Sequence, residues 1–146
     1  MPSLTEQQLA DFLRNGTSIM KLGTITPEGW PYVVPIWYHY DGEAFLLVGR
    51  PHRAVWVANI QSNPRVAACI DTVERPYTRV LIEGTAEVAD PAWVGDWEPW
   101  AIRYLGQEAG HKYFSDTKHM PRTLVRIVPG KITTWAGAGW HPRYVV

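Results

Sequence analysis

The side chains that could act as acids, bases, nucleophiles or metal ligands do not have the spacing of a catalytic site in this chain. The five histidines show no zinc-binding pattern, since His111 and His119 lie eight positions apart. Asp96 and Glu98 fall on diverging helical positions, which is typical of a solvated face. The sequence contains no Gly-x-Ser-x-Gly elbow and no Gly-rich phosphate loop after a strand. The spacing therefore assigns no catalytic residue and predicts no metal site.

Aromatic residues are the unusual feature of the composition. Eight tryptophans and seven tyrosines exceed what the core of a 146-residue chain needs. Large flat side chains bury area efficiently around planar ligands and in dimer interfaces, and composition does not distinguish the two. Many aromatics with no recognisable arrangement of a catalytic acid, base or nucleophile are typical of cofactor-driven chemistry, in which the protein supplies binding and electrostatics. A non-enzymatic binding protein would show the same pattern.

The overall composition predicts one globular domain over residues 1–146. Hydrophobic residues make up 46% and charged residues 19% of the chain, which excludes a disordered protein. A formal net charge of zero gives no basis for binding nucleic acid or an anionic membrane surface. The segment Met1–Asp11 does not resemble a signal peptide, and no apolar run is long enough to span a bilayer. The single cysteine, Cys69, cannot form an internal disulfide, so we expect a cytoplasmic protein with a buried, unreactive thiol.

The first part of the chain predicts one helix followed by strands. Ser3 and Glu6 have the spacing of a capping box, and apolar residues then recur at helical spacing over Thr5–Asn15. Beyond this helix the apolar pattern has a period of two, with Pro35 expected at a sheet edge or bulge and Gly84 at a bulge. The predicted strands are 19–25, 30–40, 43–49, 65–71 and 77–88, with a hairpin turn at Asp41-Gly42 and one or two helical turns over 55–60.

The second part predicts a helix and two final strands. Asp90-Pro91 is a typical helix start, and an aromatic stripe at helical spacing follows, with Pro99 expected to kink or restart the helix. This stripe is expected to pack on the barrel or on a partner subunit, and its members are Trp93, Trp97, Trp100 and Tyr104. Residues 106–121 are expected to be irregular or weakly helical, and strands 123–128 and 131–135 flank a turn at Pro129-Gly130. Strands with turns about ten residues apart and separate short helices indicate an α+β fold.

Several short motifs occur in a recognisable order from Ser18 to Trp135. They are Gly23-Thr-Ile25, Gly29-Trp-Pro-Tyr-Val-Val-Pro-Ile-Trp-Tyr38, Asp41-Gly42, Asn59-Ile60, Asn63-Pro-Arg-Val66, Val80-Leu-Ile-Glu-Gly-Thr-Ala86 and Arg126-Ile-Val-Pro129. In this order they resemble the pyridoxamine 5'-phosphate oxidase-like split-barrel family, which includes FMN enzymes and enzymes that use the deazaflavin coenzyme F420. The resemblance implies a six-stranded antiparallel split β-barrel with short flanking helices that forms a homodimer, with the cofactor in a groove between the subunits.

The resemblance also implies which residues hold the cofactor. Its ring would lie against the strand that contains Pro35, Ile36 and Trp37. In the family a serine and a lysine before the Asn59-like position often hold the phosphate, whereas this chain has Ala54 and Trp56 there. The nearby cations would take over that task, and Trp56 would stack beside the cofactor or seal the dimer. These cations are Arg50, His52 and Arg53.

Two functions follow as hypotheses from the resemblance. The first is an oxidoreductase that uses FMN, or alternatively F420, to transfer hydride to or from a small organic substrate. The second is a non-enzymatic protein that carries or senses a flavin, haem or other planar ligand. Three basic residues near the phosphate favour FMN, since the tail of F420 usually needs more cations. Tyr38, Trp140 and Arg143 are the candidates for the substrate side of the groove.

Overall fold

A computed structural model describes residues 3–137 of the chain. Its elements in chain order are α1 (Glu6–Asn15), β1 (Met20–Ile25), β2 (Pro31–Ile36), β3 (His39–Tyr40), β4 (Phe45–Gly49), α2 (Val55–Ser62), β5 (Arg65–Asp71), β6 (Tyr77–Trp93), α3 (Glu98–Leu105), α4 (Gln107–Thr117) and β7 (Arg122–Gly137). The strands and few helices confirm the predicted α+β class. No helix of residues 3–137 is long and apolar enough to cross a membrane. Trp140 and Arg143 lie outside the described residues.

The strands form one antiparallel sheet in the order β2-β1-β5-β6-β7-β4-β3. The sheet has seven strands and two edges, β2 and β3, so the prediction of a six-stranded barrel is wrong in its strand count. The predicted strand 30–40 is interrupted at Trp37-Tyr38, and its two parts, β2 and β3, lie at opposite edges of the sheet. Pro35 lies on the edge strand β2, as predicted. Proline has no backbone N–H to donate, and an edge strand pairs with a neighbour on one side only, so it tolerates proline.

The core lies on one face of this sheet. Along β1 and β4 every second residue is buried, as the period of two requires. Three side chains of α2, those of Trp56, Val57 and Ile60, pack into the same core, and Leu13 of α1 is fully buried there. Helix α1 begins one residue later than expected because Thr5 is its N-cap, and Gln8 completes the capping box that the sequence analysis placed at Ser3 and Glu6.

The predicted C-terminal hairpin is one long strand instead. β7 runs from Arg122 to Gly137 and pairs with β6 on both sides of Pro129-Gly130. The register shifts between Glu83 and Gly84, so the turn-like residues form a β-bulge rather than reversing the chain. A Cβ atom on Gly84 would lie 2.6 Å from the carbonyl oxygen of Val128, which explains the glycine at the bulge.

The predicted helix at Asp90-Pro91 is also wrong. Pairing of Asp90 with Leu124 and of Trp93 with Arg122 extends β6 through this segment. The helix α3 starts at Glu98 and has Pro99 in its first turn, where a missing N–H costs nothing. The segment expected to be irregular contains the helix α4. This helix packs closely on α3 because Gly110 has no side chain. A Cβ atom at Gly110 would lie 2.6 Å from Ile102 Cα.

Candidate functional site

A cavity of about 850 Å³ opens between the sheet and the α3–α4 helix pair. Four parts of the chain line it: Ile19 before β1, the end of β2, the end of β4 with the turn that follows, and the α3–α4 pair with the turn into β7. Its volume is in the range of pockets that bind drug-sized molecules and cofactors. The cavity is therefore the candidate ligand site.

The end of β2 contributes the three residues for which the sequence predicted ring contact. Pro35, Ile36 and Trp37 all line the cavity. The Trp37 ring stacks on Tyr104 of α3, with ring centroids 5.1 Å apart, and meets Tyr113 of α4 edge-on at 6.1 Å. Trp37 thus lies at the junction between the sheet edge and both helices.

Two neighbouring side chains of α3 hold the connection between β2 and β3. The Arg103 guanidinium donates to the carbonyl oxygens of Leu13, Gly16 and Tyr38, the last at 2.9 Å. The Tyr104 hydroxyl lies 3.3 Å from the Tyr38 carbonyl oxygen and 3.4 Å from the Tyr38 amide. Because Tyr38 follows Trp37 directly, these bonds fix the backbone from which the Trp37 ring extends.

Tyr38 itself belongs to the core and not to the cavity lining. Its side chain is 1% exposed and meets Phe45 edge-on, and the Arg103 guanidinium lies 4.6 Å from its ring centroid. Burial raises the pKa of Tyr38 to about 12, against a smaller opposing effect of Arg103. Burial raises the pKa of Tyr104 as well. Both hydroxyls therefore stay protonated at neutral pH.

The turn after β4 carries the predicted cations. Arg50 and Arg53 are exposed and line the cavity, and neither forms an ion pair or side-chain hydrogen bond within residues 3–137. The Arg50 carbonyl accepts from the amides of Arg53 and Ala54, which closes the turn into α2. His52 is exposed with φ 61° and does not line the cavity.

Trp56 lies beneath this turn and not in the cavity. Its side chain is 6% exposed and belongs to the hydrophobic core. A Cβ atom on Gly49 would lie 2.9 Å from Trp56 Cζ2 and 3.0 Å from Val57 Cγ2. The absence of a side chain at Gly49 therefore lets the end of β4 rest directly on α2, and Trp56 supports the backbone that precedes Arg50.

The helix pair forms an aromatic wall, defined as Trp97, Trp100 and Tyr113 together with Trp37. All four line the cavity. Trp97 meets Tyr113 edge-on at 5.2 Å, and Trp100 stacks between Trp93 and His39 at 5.3 and 5.1 Å. Aromatic contacts of this kind hold each ring in place without filling the cavity.

A third arginine enters the cavity from the start of β7. The Arg122 guanidinium lies 4.0 Å from the Trp97 ring centroid and donates to the Thr117 and Met120 carbonyl oxygens and to Thr117 Oγ1. The lining contains no aspartate or glutamate among residues 3–137. With Arg50 and Arg53, Arg122 makes the cavity positively charged and suited to a flat anionic molecule.

The structure thus brings most of the predicted cofactor residues together and adds several that the sequence analysis did not assign to a site. Pro35, Ile36, Trp37, Arg50 and Arg53 share the cavity, whereas His52, Trp56 and Tyr38 lie outside its lining. The additional lining residues with aromatic or cationic side chains are Trp97, Trp100, Tyr113 and Arg122. Within α4, Tyr113 and Thr117 are four residues apart and both line the cavity, but two positions are too few to reveal this helix from the sequence.

Metal chemistry has no support in the described part of the chain. Residues 3–137 contain no group of three or more His, Cys, Asp or Glu side chains that could hold a metal ion. Cys69 is half-buried on β5, and burial raises the pKa of its thiol, as expected for an unreactive cysteine.

Comparisons with known proteins agree with this architecture. A conserved hypothetical protein of Mycobacterium tuberculosis superimposes with a TM-score of 0.71 and 25% identity, covering 91% of this chain and 85% of that one. An F420 reductase gives a TM-score of 0.64 at 23% identity over 84% of this chain and 94% of its own. The haem storage protein HutZ of Vibrio cholerae gives 0.65 at 20% identity over 90% and 96%. The comparison with curated proteins gives no match.

The family assignment comes from the sequence profile. The profile described as pyridoxamine 5'-phosphate oxidase matches residues 5–136, which span all the helices and nearly all of the sheet. The solved structures show that the same fold is shared by proteins named for different ligands. The chain therefore belongs to the pyridoxamine 5'-phosphate oxidase family.

Proposed function

We propose that this protein is an oxidoreductase that binds a flavin-type cofactor, FMN with F420 as the alternative, and transfers hydride to or from a small organic substrate. The observation that carries the proposal is the meeting of three features in one cavity. These are Pro35–Trp37 at the end of β2, the cations Arg50 and Arg53, which form no ion pair within residues 3–137, and the aromatic side chains Trp97, Trp100 and Tyr113 of the helix pair. The family match and the fold shared with an F420 reductase support it.

The residues present fit such a cofactor. A fused ring system needs a flat apolar surface, and Trp37, whose ring stacks on Tyr104, is the lining side chain that could provide one. A phosphate needs cationic donors that carry no competing carboxylate, and Arg50 and Arg53 have no such partner within residues 3–137. When bound, the cofactor would supply the hydride-carrying ring atom, so that the protein needs no nucleophile of its own.

The side chains of this chain would bind, orient and exclude water. Tyr104 and Arg103 fix the Trp37–Tyr38 backbone, so that Trp37 presents a preorganised face to the ring. Trp97, Trp100 and Tyr113 add further apolar lining to the same cavity. Substrate would enter the same cavity, whose volume of about 850 Å³ is large for one small molecule.

We further propose a homodimer built from a single split-barrel domain. The edge strand β2 exposes Val33 by 67%, and Trp30 just before it is 73% exposed. An edge strand with exposed apolar side chains is prone to pair or pack with another chain. A cytoplasmic location stays a prediction that rests on the single cysteine.

The test is an absorption spectrum and native mass spectrum of the freshly purified protein, followed by titration with FMN, F420, riboflavin and haemin. We expect one flavin-type molecule per chain, a dimer in sedimentation, and a bound cofactor that a nicotinamide donor or an organic substrate can reduce. Binding of haemin with a Soret band, and no binding of FMN or F420, would overturn the proposal in favour of a carrier. A flavin that binds but exchanges no hydride would equally favour the non-enzymatic alternative.

A further inference from the structure

We propose that Arg122 is a preorganised anion-binding residue that acts together with Arg50 and selects a ligand with a terminal phosphate monoester. The proposal rests on the proposed function in taking this phosphate to be that of FMN. It assigns a role to a residue of β7, far along the chain from the β4–α2 turn at which phosphate contacts were predicted.

The two arginines lie next to each other across the ends of paired strands. Gly49 pairs with Thr123, Arg50 directly follows Gly49, and Arg122 directly precedes Thr123. Both side chains line the cavity. Side chains at paired positions of antiparallel strands are close neighbours, and like charges placed there destabilise the sheet.

Within residues 3–137, no carboxylate pairs with either arginine. The ion pairs of residues 3–137 join Lys21 to Asp71, His111 to Glu98 and Lys112 to Asp116, and none of them includes Arg50 or Arg122. Arginines at neighbouring positions that have no acidic partner among the described residues, on the wall of a cavity, form a site that an anion from solution would stabilise. The exposed Arg53 lines the same cavity and adds a third positive charge.

Of the three arginines Arg50, Arg53 and Arg122, Arg122 has the side chain that is held in place by contacts. A guanidinium has five N–H donors. Within residues 3–137, Nη1 donates to the carbonyl oxygens of Thr117 and Met120, at 3.3 and 3.0 Å, and Nη2 donates to Thr117 Oγ1 at 3.1 Å. The Nε hydrogen and one Nη2 hydrogen are left, which together match the two oxygens of a phosphate or carboxylate. The Trp97 face at 4.0 Å holds the plane of the guanidinium.

The combined positive charge of the three arginines favours a phosphate monoester over other anions. A monoester carries nearly two negative charges at neutral pH, and it can accept from several arginines at once. A phosphodiester, as in the tail of F420, carries one charge on that phosphate. We therefore infer that this cavity prefers FMN to F420, and that Arg122 contributes to the preference.

The experiment measures the dissociation constants of FMN, riboflavin and F420 for the wild type, Arg122→Gln, Arg122→Lys and the control Arg126→Gln. Arg126 lies on the same strand outside the cavity lining. We expect Arg122→Gln to weaken FMN at least about tenfold, the loss of one charge-assisted contact, and riboflavin by less than about threefold. Arg122→Lys should recover only part of the FMN affinity, because lysine keeps the charge but lacks the planar fork.

A second variant tests the role of Arg122 without replacing Arg122, in case the Arg122 variants do not fold. Thr117→Val removes one acceptor that orients Arg122 and leaves every charge in place. FMN affinity should fall about threefold, with riboflavin unchanged. Equal losses for FMN and riboflavin in the Arg122 and Thr117 variants, or unchanged FMN affinity in both, would overturn the assignment while leaving the proposed cofactor site intact.

Inorganic phosphate separates this inference from the proposed function. If no flavin binds to the wild type, the proposed function fails. Phosphate should still raise the melting temperature of the wild type and of Arg126→Gln more than that of Arg122→Gln, because an anion that binds the folded state stabilises it. The same shift in all three proteins, as for an adventitious ion only, would overturn the anion site as well.

Discussion

The ring of Trp37 stacks on the ring of Tyr104, with centroids 5.1 Å apart and planes within 10° of parallel. Trp37 belongs to the interruption between β2 and β3, and Tyr104 to the last turn of α3. The pair joins the sheet edge to the helix pair at the point where both line the cavity. The position of one cavity wall therefore depends on a contact between residues that are far apart in the sequence.

This contact predicts a difference between two substitutions of Tyr104. Tyr104→Phe keeps the stacked ring and removes only hydroxyl contacts of 3.3–3.4 Å, so FMN affinity should stay within about threefold. Tyr104→Leu removes the ring, and the lost stacking of about 0.5–1.5 kcal/mol should weaken FMN about three- to tenfold. Fluorescence titration of both variants measures this. A larger loss for Tyr104→Phe would show that the hydroxyl, not the ring, positions Trp37.

Arg103 provides a second prediction, on stability. Arg103→Lys keeps the charge but cannot donate simultaneously to the carbonyl oxygens of Leu13, Gly16 and Tyr38. We expect the free energy of unfolding in urea to fall by about 2–4 kcal/mol. The matched control is Arg65→Lys on the exposed start of β5, which should change stability by less than about 0.5 kcal/mol. Equal effects in the two variants would contradict the role of Arg103 in joining α1, α3 and the β2–β3 connection.

Much of the sheet could be predicted because one of its faces is buried. Strand β5 was predicted with its observed bounds, since burial alternates along it. The prediction of a helix at Asp90-Pro91 is wrong because pairing with β7 extends β6 there, and local sequence does not reveal a partner about thirty residues away. Pro99 was predicted to kink or restart the helix. It lies in the first turn of α3, so a helix starts there and is not kinked.

The site was predictable only where local residue types indicate a ligand. Arg50 and Arg53 stand in one exposed turn, and their charges suggested an anion contact. No such signal exists in the sequence for Arg122, because Arg122 comes next to Arg50 only when β4 pairs with β7. Trp56 was expected beside the cofactor or in the dimer interface because the family resemblance places it where a lysine often stands. The sequence alone does not show that this side of α2 faces the core.

A third prediction concerns pH. His39 stacks on Trp100, and burial, assisted by the positive charge of Arg103, lowers its pKa below the usual 6.5, against the smaller opposite effect of Asp41. The folded state then binds the proton less readily than the unfolded chain. The contribution to stability is complete above about pH 6.5 and is lost as the pH falls through the folded pKa. His39→Phe keeps a ring on Trp100, so it should lose less stability than the wild type between about pH 7.5 and pH 5. Parallel pH profiles in urea unfolding would contradict this.

The fourth prediction tests the exposed cations. Replacing Arg50 and Arg53 by Ala removes up to two charge-assisted contacts of about 1.5–3 kcal/mol each, so FMN affinity should fall at least tenfold. Riboflavin, which has no phosphate, should be nearly unaffected. Arg65→Ala serves as the control for the loss of an exposed charge. Calorimetric titration distinguishes the outcomes, and equal losses for both ligands would mean that the turn acts through folding.

The last prediction concerns Trp56, which stands where the family resemblance implies a phosphate-binding lysine. Its side chain is 6% exposed and lies beneath Gly49, so Trp56→Lys places a charge in the core instead of in the cavity. We expect the free energy of unfolding to fall by at least about 3 kcal/mol, and FMN affinity not to rise. Trp56→Phe keeps an apolar ring beneath the turn, so it should cost less stability and leave FMN affinity within about threefold. Urea unfolding, FMN titration and sedimentation on the same samples measure stability, affinity and dimerisation together. Tighter FMN binding by Trp56→Lys with unchanged stability and an intact dimer would mean that position 56 can reach the phosphate, and would favour a binding protein whose phosphate site has degenerated.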